Sequence, residues 1–250
     1  MFAGEIALVT GAANGIGRAI AVALAKEGAT VAMVDNDPVK GEAARAAAGE
    51  RCAFFPADLA DPAAAEAVLE RATARLGPPS MIVHSASPRR REGDTVLAVA
   101  DDIFEAMLSV NLRSGFRLAR AAGRQMTARG IKGRMLFVTS LHAETPRNLP
   151  HYSASKAGMT MLVKEFARAL APAGIRVNAI APGAIPGGGF AADPKMAAMV
   201  PMGRLGTPED VADMALALLS ERFSRYVTGT TVVVDGGLSL FNWIPFPPSP

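Results

Sequence analysis

Cysteine and tryptophan are almost missing from this chain of 250 residues, which holds one of each, Cys52 and Trp243. A lone thiol cannot close an internal disulfide, so the composition fits a reducing cytoplasm, and Cys52 reads as a small buried hydrophobe in a strand. Long apolar runs are missing too. Half of the residues are apolar (50%), yet charged residues, glycine or proline interrupt each run before the ~18 residues that a membrane span needs. The N-terminus has Glu5 inside its first apolar segment and lacks the charged-then-apolar order of a signal peptide. A large charge of either sign is also lacking. The formal net charge is +3 with the signs mixed, too weak a field to argue for nucleic acid, and the run Arg89-Arg90-Arg91 is followed by Glu92 and Asp94, as in a solvated loop.

What is present is an alternation. Ile6 to Thr10 reads as a buried strand that feeds Gly11-Ala12-Ala13-Asn14-Gly15-Ile16-Gly17, and a helical pattern follows from Arg18 to Glu27. Strand, glycine loop and helix suit a dinucleotide, because glycines let the backbone approach a pyrophosphate while the helix N-terminus offers free N–H groups. A second strand from Thr30 ends in Asp35, 18 residues beyond Gly17, where an acid accepts hydrogen bonds from the adenosine ribose. A carboxylate there repels the 2′-phosphate of NADP and pairs with a free 2′-hydroxyl, and neither Asn14 nor Asn36 supplies a cation, so the expected cofactor is NAD.

The pattern continues with a helix from Val39 to Ala48, a strand Cys52 to Pro56, a helix Pro62 to Leu76 and a strand Ser80 to Val83 running into His84-Ser85-Ala86-Ser87-Pro88. Small residues there let a loop pass close to a ligand, and His84 reads as a structural hydrogen-bonding group rather than a base. One long helical pattern runs from about Asp101 to Arg129 with Asn111 on its apolar face, a polar group that needs a partner. Strands follow at Arg134 to Ser140, Ile175 to Ile180 and Thr230 to Val234, with helices from Tyr152 to Leu170 and from an N-cap at Thr207 with Pro208 behind it to Leu219. The expectation is an α/β fold: residues 1–250 as a single doubly wound Rossmann domain, a seven-stranded parallel sheet flanked by helices. The apolar, proline-rich tail 240–250 must dock somewhere, on its own subunit or on a neighbour.

Tyr152 and Lys156 stand four residues apart on one helix face, within reach of a common point. With the Thr10-to-Gly17 loop, Asp35, Asp58-Leu59, Asn111, Ser140, Asn178, Pro182-Gly183 and Asp235-Gly236-Gly237, they make the sequence resemble the short-chain dehydrogenase/reductase family over nearly its whole length. The resemblance implies catalytic roles for Asn111, Ser140, Tyr152 and Lys156. Tyr152 is then the general acid/base, Lys156 holds the nicotinamide ribose, Ser140 bonds the substrate oxygen and Asn111 holds a relay water. It implies cofactor contacts from Asp58, Leu59, Ser85, Ala86, Pro182, Gly183 and Ile185 beside the glycine loop, and a homotetramer or homodimer.

Three departures stand out. His84-Ser85-Ala86-Ser87 replaces the family's Asn-Asn-Ala-Gly, Gly187 replaces a threonine that bonds the nicotinamide amide, and the interval from Ser140 to Tyr152 is one residue short. The loop from Leu141 to His151 carries His142, Glu144, Arg147, Asn148 and His151. Its polarity, with loop 184–200 and residues 88–94 beside it, predicts a pocket formed by His142, Arg147 and His151 for a sugar, polyol or other small hydroxylated compound, as in sugar dehydrogenases of the family. A reductase of 3-oxoacyl thioesters is the rival enzyme, and a dinucleotide-binding sensor without turnover is the rival of another class. No metal, nucleic acid or membrane partner is expected.

Overall fold

The computed structural model describes residues 1–187, 190 and 194–240; Gly188, Gly189 and the tail from Phe241 onward, whose docking was expected, lie outside the described residues. Seven strands, β1 Ile6–Thr10, β2 Thr30–Asp35, β3 Cys52–Pro56, β4 Met81–His84, β5 Arg134–Val138, β6 Arg176–Pro182 and β7 Thr231–Val234, form one sheet in the order β3-β2-β1-β4-β5-β6-β7. Every pairing is parallel, with Val9 opposite Met33 on one side and Val83 on the other. The chain leaves β1 in one direction and returns to the sheet at β4 on its other side. The crevice between the strand ends at this switch is where such sheets bind ligands.

Alternation along the strands supplies two cores. Ala7, Val9, Val31, Met33, Val83 and Leu136 face one layer, in which α1 (Gly15–Lys26), α2 (Pro38–Ala48) and α8 (Pro208–Leu219) lie. Leu8, Ala32, Val34, Ile82, Met135 and Phe137 face the other, built from α3 (Ala64–Leu76), α5 (Ser114–Ala128) and α6 (Pro150–Leu170). Strands covered on both faces read as the nearly continuous apolar runs seen in the sequence. The cap of α8 forms as its residues dictate: Thr207 Oγ1 accepts from the Asp210 N–H at 3.2 Å and Asp210 Oδ2 accepts from the Thr207 N–H at 2.8 Å.

The long helix is not continuous. It divides into α4 (Asp101–Met107), a wide π turn (Leu108–Arg113) and α5, and Asn111 sits in the wide turn. Such a turn displaces backbone groups from their usual partners; here the Asn111 carbonyl accepts a hydrogen bond from His84 at 2.9 Å. Short helices α7 (Pro194–Ala197) and α9 (Glu221–Ser224) escape periodicity because neither completes two turns. Among the described residues no helix is long and apolar enough to cross a membrane.

Candidate active site

Above the C-terminal ends of the strands lies a cavity of about 740 Å³. Its floor at one end is the glycine loop, and backbone geometry explains the residues used there. Gly11 and Gly15 have φ of 66° and 51°, in the left-handed region. A Cβ on Gly17 would stand 2.2 Å from the Gly11 carbonyl oxygen, so only glycine lets α1 start this close to β1. A Cβ on Gly15 would meet nothing, since the space beside it opens into the cavity. Asn14 and Ile16 line the same end.

The Asp35 carboxylate, at the end of β2, is held by two backbone donors: Oδ2 accepts from Ala13 N–H at 3.0 Å and Oδ1 from Asp37 N–H at 3.1 Å. The loop and the acid are thereby locked together. Asp58 and Leu59 line the cavity after β3, Ser85 and Ala86 after β4, and Pro182, Gly183 and Ile185 after β6. An open glycine cradle at a helix N-terminus, followed by a fixed carboxylate, fits the pyrophosphate and ribose of a dinucleotide.

His84, which stands where the family has asparagine, joins Thr10 to the wide turn. Thr10 Oγ1 accepts from the N–H groups of Ser85 and Ala86 at 3.1 and 3.2 Å, which leaves its own proton for His84 Nδ1 at 3.1 Å. The other ring nitrogen, Nε2, then carries the hydrogen donated to the Asn111 carbonyl. This assignment requires a neutral imidazole, and burial pulls the His84 pKa down to about 4. The chain of bonds continues, as Asn111 Nδ2 donates to Ser155 Oγ at 2.8 Å and Ser155 Oγ to the Tyr152 carbonyl at 2.7 Å. Thr10 is so joined to the first turn of α6. Asn111 itself is buried and does not line the cavity, and its Oδ1 has no protein partner.

Tyr152 and Lys156 both line the cavity from α6, with Lys156 Nζ 5.6 Å from the centre of the tyrosine ring. Lys156 Nζ donates to the Val138 carbonyl at 2.8 Å. Desolvation first, and the nearby Arg90 charge second, draw its pKa down to about 7. After β5, the Thr139 hydroxyl is turned inward and donates to the Ile180 carbonyl at 2.9 Å, whereas Ser140 Oγ accepts from His142 N–H at 3.2 Å and lines the cavity. Both residues line the cavity, and of the two it is Thr139 whose hydroxyl proton is already committed to the backbone.

The pocket expected around His142, Arg147 and His151 needs correction. His142 and Arg147 line the cavity, but His151 does not: it is wholly buried with both ring nitrogens unpartnered, and burial lowers its pKa. As the residue before Tyr152 on a helix, it points about 100° away from it around the axis. Arg147 is ion-paired to Glu92, His142 Nδ1 donates to the Thr145 carbonyl at 3.0 Å, and Asn148 Oδ1 accepts from Val96 N–H. Arg147 and Asn148 tie this loop to the one after β4, and His142 braces it from within.

Apolar residues line the cavity instead: Leu141, Phe190, Met196, Met199, Val200 and Leu238. Five of them lie in the two segments expected to line the pocket, Leu141 to His151 and 184–200; Leu238, after β7, was not read as part of the site because it is distant in sequence from both. Gly187, at φ 127°, exchanges both backbone hydrogen bonds with Phe190 at 2.8 and 2.9 Å and fixes that ring's approach. Arg90, read both as part of a solvated arginine run and as part of the 88–94 stretch beside the pocket, lines the cavity, with its guanidinium 4.6 Å from the centre of the Tyr152 ring.

Known proteins are similar to this chain in sequence and fold. Residues 11–239 match the family model described as enoyl-(acyl carrier protein) reductase. A human (3R)-3-hydroxyacyl-CoA dehydrogenase is 38% identical over 256 residues, covering 93% of this chain and 95% of that protein. An L-rhamnose 1-dehydrogenase (NAD(P)(+)) from Sphingomonas sp. is 34% identical, covering 94% of this chain and 96% of its own. The structure is similar to that of a 3-ketoacyl-(acyl-carrier-protein) reductase from Brucella melitensis complexed with NADH, with a TM-score of 0.88 and 32% identity over 96% of this chain and 100% of the other.

Proposed function

The chain belongs to the short-chain dehydrogenase/reductase family, an oxidoreductase of hydroxyl and keto groups, and from that premise we propose that it transfers hydride between NAD and C3 of a 3-hydroxyacyl or 3-oxoacyl thioester. The observation that carries the substrate class is the cavity wall. Polarity in the loop suggested a sugar or polyol, but His151 is buried elsewhere and Asn148 is spent on the backbone, while Phe190, Met196, Met199 and Leu238 offer the surface an acyl chain needs. Similarity to the 3-hydroxyacyl-CoA dehydrogenase and to the 3-ketoacyl reductase supports the same class.

The nicotinamide accepts or supplies the hydride when the dinucleotide is bound. Asp35 orients the adenosine ribose and disfavours a 2′-phosphate, which is why we prefer NAD to NADP. Tyr152 Oη takes the proton of the substrate hydroxyl during oxidation and returns it during reduction. A pKa of about 7 lets Lys156 Nζ exchange a proton near neutrality without a large uphill step. Ser140 Oγ holds the reacting oxygen. Asn111 holds a relay water through Oδ1, the buried acceptor that no protein group satisfies, and its bond to Ser155 fixes the turn that carries Tyr152.

A sugar or polyol is the second reading, favoured by His142 and Arg147 on the cavity wall and by the rhamnose dehydrogenase likeness. A sensor without turnover is disfavoured by the presence of both Tyr152 and Lys156 at the cavity. The proposal includes a cytoplasmic homotetramer or homodimer acting on a small molecule. Initial rates with acetoacetyl and 3-hydroxybutyryl thioesters, L-rhamnose and simple polyols, each with both cofactors, test the reading: turnover of the thioesters with NAD is expected, and turnover confined to polyols overturns it.

A further inference from the structure

Arg90 is the cation the catalytic scheme leaves unused. It lies half-buried in the loop after β4, lines the cavity and covers the Tyr152 ring at 4.6 Å. Its neighbour in charge, Arg147, is paired with Glu92. No carboxylate or carbonyl among the described residues forms an ion pair or hydrogen bond with Arg90, and its guanidinium stands over the ring. The acids that line the cavity, Asp35 and Asp58, stand at the end of β2 and after β3. At the reacting end the guanidinium faces Tyr152, Lys156 and His142, and its field reaches both of the latter groups; the carboxylate whose charge also reaches His142, Glu92, is held by Arg147.

A guanidinium is a planar fork of donors that suits a carboxylate or a polarised carbonyl. Held against the tyrosine ring, it stands beside whatever group is attached near the carbon that Tyr152 serves. We infer that Arg90 is the specificity-determining residue of the site and donates hydrogen bonds to the C1 oxygen of a 3-hydroxyacyl or 3-oxoacyl compound while Tyr152 and Ser140 hold the C3 oxygen. This rests on the thioester reading above and adds the group that distinguishes a 1,3-dioxygenated substrate from an ordinary secondary alcohol. A plain alcohol offers the fork nothing and leaves it facing the cavity unpaired. Glu92, two residues along the chain, is engaged by Arg147 and makes no ion pair with Arg90.

The test compares 3-hydroxybutyryl thioester with 2-pentanol, which lacks the C1 oxygen, in the wild type and in Arg90→Ala, Arg90→Gln and Arg90→Lys, with NAD saturating. The quantity read is the ratio of kcat/KM between the two substrates. Arg90→Ala is expected to lower that ratio about thirtyfold, as loss of hydrogen bonds from a charged donor implies, chiefly through KM for the thioester. Arg90→Lys retains the charge without the fork and is expected to fall in between. A merely structural role, or a role confined to tuning Tyr152, lowers both substrates together and leaves the ratio unchanged; that result overturns the inference while the thioester reading stands. A wild type that turns over polyols and neither thioester nor 3-hydroxy acid overturns both.

Discussion

The two ends of the cavity are built on different principles. At the glycine-loop end the backbone does the shaping: Gly11, Gly15 and Gly17 allow approach, and Asp35 is fixed by two N–H groups. At the other end side chains from separate loops do it, Arg90 after β4, Leu141 and His142 after β5, Phe190 and Met196 after β6. A backbone-built site tolerates little sequence change and binds one ligand; a site walled by loop side chains can change its substrate with few substitutions. The π turn and His84 connect the two ends by hydrogen bonds from Thr10 to Tyr152.

The largest effect expected separates the ends most sharply. Tyr152→Phe removes only the phenolic proton carrier, so kcat should fall by about a thousandfold or more while NAD affinity, measured by calorimetry, changes little. Comparable loss of both would mean that the ends are not independent.

The connection between them is tested next. His84 is neutral in the fold, with its pKa lowered to about 4 from 6.5. Between those values the unfolded chain binds the extra proton, so stability is fully present above pH 6.5 and declines as pH falls towards 4, by at most roughly 3 kcal/mol. Urea unfolding across that range should show a slope that His84→Asn reduces. An unchanged slope would remove His84 from the account.

The dinucleotide end is probed by Asp35→Ser, which should shift the NAD to NADP ratio of kcat/KM by about tenfold to a hundredfold towards NADP, as loss of a charge-assisted contact implies. Steady-state kinetics with both cofactors reads this directly, and an unaltered ratio would show that the carboxylate does not select. The smallest effect concerns His151. Replacing this buried, unpartnered ring in His151→Leu should leave KM and kcat within about twofold and raise stability by about 1 kcal/mol, measured by denaturant unfolding. A large rise in KM would return His151 to the pocket.

How much of this was legible in the sequence follows the same division. The order of strands and helices, the N-cap at Thr207 and the dinucleotide end could be read because each depends on neighbours in sequence: a glycine that must adopt positive φ, a proline behind a cap, an acid at a strand end. The break at Asn111 showed only as a polar residue on an apolar face, since a wide turn does not disturb the periodicity on either side. His151 was misplaced because loop composition says what a segment contains and not which way it points. Arg90 carried a faint signal, three adjacent arginines, but a cation that stacks on a distant tyrosine cannot be distinguished by sequence from one in water. Of the six apolar residues of the wall, five lie in the two loops that the sequence placed beside the pocket, and only the fold brings Leu238 to them.

The claim at the centre is that Tyr152 and Ser140 hold the C3 oxygen of a 3-hydroxyacyl thioester while its C3 hydrogen passes to NAD. It is tested most directly with 3-hydroxybutyryl thioester carrying deuterium at C3, followed by mass spectrometry of the dinucleotide formed by the wild-type enzyme. Reduced NAD carrying the deuterium is the predicted product. No reduced dinucleotide, or reduced dinucleotide without the label, would contradict the account.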